Sequence, residues 1–399
     1  MLASLSLIFI VGLAMGAICQ KLKLPRIIGM LVTGIVLGPY VLDLLDPSIL
    51  SISAELRKMA LIIILLKAGL SLDLKDLKKA GRSAVLLSFV PASFEIVGYV
   101  LCAPAILEIT RVEAAVMGAV LSAVSPAVVI PRMVTLMEKK YGTEKAIPQM
   151  VMAGASCDDI FVIVLFTTFL SIAQGGHANV RDFVNIPVSI VLGIILGAVT
   201  GYGLYLFFET AYARKHCVRN SIKVIIVLGF SFLLVSVEGW LEGKISLSGL
   251  LAVVAMACVI KMKSPVFVSK RLSEKFGKLW LAAEVMLFVL VGAAVDIRYT
   301  LSAGLSAVLM IFVALLFRSV GVLLCVAGTR LTWKERLFCV IAYLPKATVQ
   351  AAIGSVPLAA GLACGKIVLS VAVLAIIITA PIGAIGMDAA YQRLLEKEN

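Results

Sequence analysis

IPQMVMAGASCDDIFVIVLFTTFLSIA, residues 147–173, is long enough to cross a bilayer and carries no formal charge except Asp158 and Asp159, side by side near its middle. A carboxylate at bilayer depth costs about 2.5–3.5 kcal/mol on insertion scales. Packing alone requires neither acid, so an adjacent pair there points to a site that handles cations or protons.

The rest of the chain has the same character. Its 399 residues are 61% hydrophobic with a mean hydropathy of +1.09, a composition that belongs in lipid rather than water. Apolar runs recur near 1–19, 27–42, 50–71, 83–107, 112–137, 148–173, 186–207, 221–238, 246–262, 279–296, 301–327, 336–358 and 367–387. These predict an all-α polytopic membrane protein of about thirteen transmembrane helices. The short connections leave no room for a sizeable soluble domain. The eight Cys occur singly, without a CxxC pair or a His cluster, so metal and disulfide frameworks are not expected and no cofactor is implied.

Loop charge tests the span count. The net charge of +13 reflects basic connections in alternate loops, not nucleic-acid binding. They hold Lys21/Lys23/Arg26, Lys75/Lys78/Lys79/Arg82, Arg132/Lys139/Lys140/Lys145, Arg214/Lys215/Arg219/Lys223, the run Lys261–Lys278 and Arg330/Lys334/Arg336. Base-poor loops lie between them, around Asp43/Asp46, Glu108/Arg111, His177/Arg181, Glu242, Asp296 and Gly365. The alternation predicts an outside N-terminus and a cytoplasmic C-terminus. Residues 1–19 lack a basic n-region and read as a retained first span. The compact loops and absence of tails suggest a bacterial inner membrane.

The chain also repeats. VLSAVSPAVVIPRM has a counterpart in VIAYLPKATVQAAIG, which sets Pro126 against Pro345, 219 residues apart. Glu95 and Arg318, mid-span charges in the preceding helices, are 223 apart. Corresponding spans are seven apart, an odd number, so the copies read as inverted repeats, each with a Pro-broken helix. That is a transporter signature, with the breaks at the substrate site.

Asp158 and Asp159 project about 100° apart on one helix, so one faces the site and the other a neighbouring helix or cavity wall. A hard cation such as Na+ or Li+ wants several oxygens, and an ionised carboxylate with carbonyls and hydroxyls supplies them. A proton on the same carboxylate removes the site. If the empty ionised pair is too costly to move, the carrier crosses only when loaded, and exchange results. Ser125, Ser156 and Thr348 could add ligands or satisfy freed backbone groups, or serve as ordinary helix hydroxyls. Lys346, beside Pro345, would neutralise carbonyl ends at the break. Glu95 and Arg318 form a natural buried ion pair. The glycine rows Gly12/Gly16, Gly34/Gly38 and Gly193/Gly197/Gly201 suit close helix packing, within the chain more than between copies.

The segments SAVSPAVVIPRM, GASCDDIF and YLPKATVQAAIG together resemble the cation/proton antiporter superfamily, most closely its sodium/proton antiporter B (NHA-type) branch. The resemblance spans essentially the whole transmembrane chain. It implies two crossed, unwound helices marked by Pro126 and Pro345, with Lys346 at their dipole ends. Asp158 and Asp159 become the ion-binding pair for transported Na+ or Li+, and Glu95 with Arg318 the branch's buried acid–base pair. It further implies a homodimer working by an elevator-like movement. The mobile core helices are about 83–173 and 301–387, the dimerisation or scaffold helices about 1–71 and 186–262, and the linker helix about 279–296. Many electrogenic relatives carry Lys where this chain has Arg318. Arginine does not release a proton at accessible pH, so electroneutral one-for-one exchange is the expectation.

Two readings share this fold: a K+/H+ exchanger and a Na+-coupled organic-anion symporter. An intramembrane aspartyl protease would place its acids on separate helices, not adjacent in SCDD. A channel does not need inverted broken repeats, and an ATPase would need a GxxxxGK[ST] loop.

Overall fold

In the computed structural model, the described residues are 1–22, 24–71, 81–175, 180–213, 219–241, 247–297 and 304–398. Lys23, Lys75, Lys78, Lys79, His177, Arg214, Lys215 and Glu242 lie outside them, as do the side chains of Ser156 and Arg181.

The described chain is almost entirely helical. In order come α1 (Leu2–Lys21), α2 (Arg26–Leu37), α3 (Pro47–Ser51), α4 (Ser53–Ser71), α5 (Gly81–Leu87), α6 (Val90–Leu107), α7 (Arg111–Leu121), α8 (Pro126–Glu138) and α9 (Ile147–Gln174). They are followed by α10 (Val180–Ala213), α11 (Asn220–Leu241), α12 (Gly249–Lys263), α13 (Val266–Ala293), α14 (Gly304–Cys325), α15 (Trp333–Ala342), α16 (Thr348–Ile353), α17 (Val356–Ala359) and α18 (Gly365–Leu394). Each apolar run of the sequence contains helix. Among the described residues nine helical segments are long and apolar enough to cross a membrane, and the chain is an integral membrane protein.

Prolines set several breaks. Pro91 cannot donate to the carbonyl one turn back, and α5 gives way to α6 at Ser88–Phe89. The broken pairs α7/α8 and α15/α16 follow the same rule, developed below. Thr110 with Glu113, and Thr332 with Glu335, form capping boxes that fix where α7 and α15 begin.

One feature differs from the hydropathy reading. The basic run before Lys278 looks like a loop, yet α13 starts at Val266. Lys270, Glu274 and Lys278 follow at i,i+4 spacing, while Leu272, Phe276 and Trp280 hold a buried stripe at the same spacing. Hydropathy sees only the charges; the period shows an amphipathic helix.

Two compact units divide the chain. One comprises Met1–Ala54, Asp73–Gln174 and Val285–Asn399. Within it glycines allow backbones to touch: a Cβ on Gly34 would overlap the Val289 carbonyl, and one on Gly38 would lie 2.8 Å from Ala293 Cα. The C-terminal residues strap onto the α8–α9 connection of the same unit. Tyr141 and Lys397 form an antiparallel bridge, and Gly142 N donates to Glu396 O at 2.8 Å. Lys145 Nζ lies 2.9 Å from Glu335 Oε1 and 3.1 Å from Glu396 Oε2. The other unit comprises Glu55–Leu72 and Gly175–Glu284. There Gly193, Gly197 and Gly201 face the Ser248, Ala252 and Met256 carbonyls, so this row serves packing of α10 on α12.

Candidate cation site

The site forms where two interrupted helices cross inside the first unit. Between α7 and α8, residues Ser122–Ser125 leave the helical path, and Pro126 opens α8. A residue before proline is pushed out of the α region, and Ser125 is extended at φ −89°, ψ 107°. Between α15 and α16, residues Tyr343–Ala347 do the same around Pro345. Each break frees backbone donors and acceptors that cannot be left bare at membrane depth.

These groups are satisfied largely by one another and by buried side chains. Ser125 N donates to Pro345 O at 2.8 Å, tying break to break. Leu121 O accepts from Lys346 Nζ at 2.5 Å and Gln350 Nε2 at 3.3 Å, and Ala123 O from Gln350 Nε2 at 2.7 Å. Ser122 O accepts from Arg318 Nη1 and Tyr343 O from Arg318 Nε, the latter at 2.5 Å. Lys346 N donates to Thr379 Oγ1 at 3.0 Å, and Ala347 N to Gln350 Oε1 at 2.8 Å. Val124 N, at the positive end of α8, donates to Asp158 Oδ2 at 2.7 Å. Lys346 answers the negative end of α7 in the same way.

The charged side chains form one connected group. Glu95 on α6 meets Arg318 Nη1 at 2.8 Å through Oε2, and Lys346 Nζ at 2.6 Å through Oε1. Arg318 Nη2 reaches Asp158 Oδ2 at 3.4 Å. Glu95, Asp158, Arg318 and Lys346 are fully buried, and Asp159 is 6% exposed. Lys346 thus does more than the sequence suggested: besides capping α7 it shares Glu95 with Arg318.

Among the described residues, the buried oxygens at or beside the crossing that have no hydrogen-bond partner include Ser125 Oγ, Asp158 Oδ1, Asp159 Oδ1 and Thr348 Oγ1. Oxygens of this kind suit a hard monovalent cation. Among the described residues no three or more His, Cys, Asp or Glu side chains gather as a metal site, so neutral oxygens must complete any shell. Gln350, Thr379 and Tyr343 were not singled out from the sequence. Gln350 carried a signal, an amide inside the otherwise apolar TVQAAI; Thr379 in IIITAP did not stand out from ordinary helix hydroxyls.

The transmembrane sodium/hydrogen exchanger family matches residues 5–389. The human protein "Sodium/hydrogen exchanger 9B2" is 36% identical over 390 residues, covering 94% of this chain and 70% of the relative. Human "Sodium/hydrogen exchanger 9B1" is 32% identical over 419 residues, covering 99% of this chain and 78% of its own. Among solved structures, the sodium proton antiporter MjNhaP1 from Methanocaldococcus jannaschii superposes with a TM-score of 0.84 at 20% identity, over 98% of both chains, which shows the shared fold.

Proposed function

The chain belongs to the sodium/hydrogen exchanger family, and from that premise we propose that it exchanges one Na+ or Li+ for one H+ by alternating access, with both cargoes competing for Asp158 and Asp159. The observation that carries this is the charge balance of the buried group. Three acids (Glu95, Asp158 and Asp159) lie with two bases (Arg318 and Lys346). Taken at their formal charges, the empty site holds one uncompensated negative charge. One monovalent cation cancels it, and so does one proton. An uncompensated charge at membrane depth costs several kcal/mol, so both loaded forms cross more readily than the empty one. Strict coupling follows, and because the two loaded forms carry the same charge the exchange is electroneutral.

Asp158 is held by Val124 N and Arg318 through Oδ2, which leaves Oδ1 for cargo. Asp159 supplies the second carboxylate, with Ser125, Thr348 and Ser156 as neutral ligands or support. We assign the movement to the core helices (about 83–173 and 301–387) against the scaffold (about 1–71 and 186–262) through the linker helix (about 279–296), in a homodimer of the NHA-type branch. The basic loops orient the N-terminus outward and the C-terminus to the cytoplasm; a bacterial inner membrane is the proposed location.

The test is dissipation of an imposed pH gradient in proteoliposomes by Na+, Li+ or K+, for wild type and Asp159→Asn. Na+ and Li+ should collapse the gradient with wild type alone. An imposed potassium diffusion potential should leave the rate unchanged. If no monovalent cation moves protons the reading falls, and if K+ alone does, the cargo is potassium.

A further inference from the structure

One buried polar group at the crossing is not used by the exchange reading. Tyr343 closes α15, is fully buried, and its hydroxyl has no hydrogen-bond partner among the described residues. Its ring lies beside the Arg318 guanidinium, with Cζ 5.6 Å from the ring centroid, while its carbonyl accepts from Arg318 Nε. Ring and backbone are therefore fixed, and only the hydroxyl is unused.

That hydroxyl is aimed at α9. A Cβ built on Gly154 would overlap the Tyr343 oxygen, so only glycine admits it there. Gly154 precedes Asp158 by four residues, one turn away on the same face, roughly 6 Å along the axis. Side chains on a helix lean toward its N-terminus, so Asp158 leans back toward Gly154 and the phenol. Asp158 Oδ1 also lacks a hydrogen-bond partner among the described residues.

We propose that Tyr343 is a specificity-determining residue whose hydroxyl oxygen joins the shell of the monovalent cation held at Asp158. The inference rests on the exchange reading above. A buried hydroxyl without a partner is a cost to the folded protein, and a passing cation offsets it. The phenol thus acts only when cargo is present. Li+ holds its water more tightly than Na+ and depends more on each replacement oxygen, so its affinity should suffer more when this one is lost.

The experiment compares wild type with Tyr343→Phe, which deletes the oxygen and keeps the ring on Arg318. In proteoliposomes the half-saturating Na+ concentration should rise roughly 3- to 10-fold, the size of one lost contact of ordinary net hydrogen-bond strength, and that for Li+ by more. In detergent without Na+ or Li+ the variant should melt at or above the wild-type temperature, and its stabilisation by added NaCl should shrink. Unchanged Na+ and Li+ saturation overturns the proposal. So does a lower melting temperature, or failure to fold, since deleting an unpartnered hydroxyl removes a cost. If wild type itself dissipates no gradient, the exchange reading fails instead, and the two failures are distinct.

Discussion

The Arg318 side chain joins four partners in the buried network, Glu95, Asp158, Ser122 O and Tyr343 O, and its removal is a sharp perturbation. Arg318→Met leaves the Ser122 and Tyr343 carbonyls without their guanidinium donors and takes a cation from both Glu95 and Asp158. Removing one partner of a buried ion pair costs about 3–5 kcal/mol. Lys346 still holds Glu95 at 2.6 Å, which places the loss toward the lower end, about 3 kcal/mol. At about 2 °C or more per kcal/mol for a large domain, that is a fall of roughly 6–10 °C in melting temperature. Glu95→Gln alone strands part of both cations. The double variant Glu95→Gln/Arg318→Met removes the pair together and should be less damaged than the sum of the singles by at least about 1 kcal/mol. Thermal unfolding in detergent, followed by tryptophan fluorescence, measures all four corners of this cycle. Additivity within about 0.5 kcal/mol would refute the coupled network, because independent sites behave that way.

Gln350→Ala should lower stability by about 1–3 kcal/mol and slow transport, since its amide serves Leu121 O, Ala123 O and Ala347 N; unaltered melting and flux would mean other groups or water satisfy the breaks. Gly34→Ala drives a methyl into the Val289 carbonyl and should cost about 1–3 kcal/mol or abolish expression, read by size-exclusion yield and melting temperature; wild-type behaviour would show that the backbones separate freely. Glu335 and then Glu396 hold the Lys145 ammonium above the usual lysine range. A raised folded value means the stabilisation is complete below the unfolded value of about 10.4 and is lost as pH climbs through the folded one. The gap in melting temperature between wild type and Lys145→Met, worth about 1 kcal/mol, should therefore be constant from neutral pH to about 10 and close above it; a gap that widens there contradicts the ion-pair assignment.

Much of the architecture was legible because lipid imposes strong rules. A charge in an apolar span is costly, so Glu95, Asp158, Asp159 and Arg318 stood out without any structure. A proline inside such a span cannot continue the hydrogen-bond ladder, and Pro126 and Pro345 do lie at breaks. What escaped was the wiring. Val124 and Ser125 contribute backbone N–H groups, which every residue but proline has, so sequence cannot mark them. Lys346 was readable as a cation near carbonyls but not as a partner of Glu95, 251 positions away. The charged turns of α13 escaped because hydropathy averages away the period that makes them helical.

The cross-stitching of the two breaks has a mechanical consequence. Ser125 to Pro345, Gln350 to Ala123 and Lys346 to Leu121 bind both interrupted helices into a single part. In the proposed exchange, such a part carries its ligands with it rather than reassembling them at each face. Cargo then meets the same oxygens from either solution, and a site with matched affinity on both sides has no built-in direction. Under the proposed exchange, the gradients across the membrane decide which way it runs: the cation leaves when protons are plentiful outside and enters when they are not.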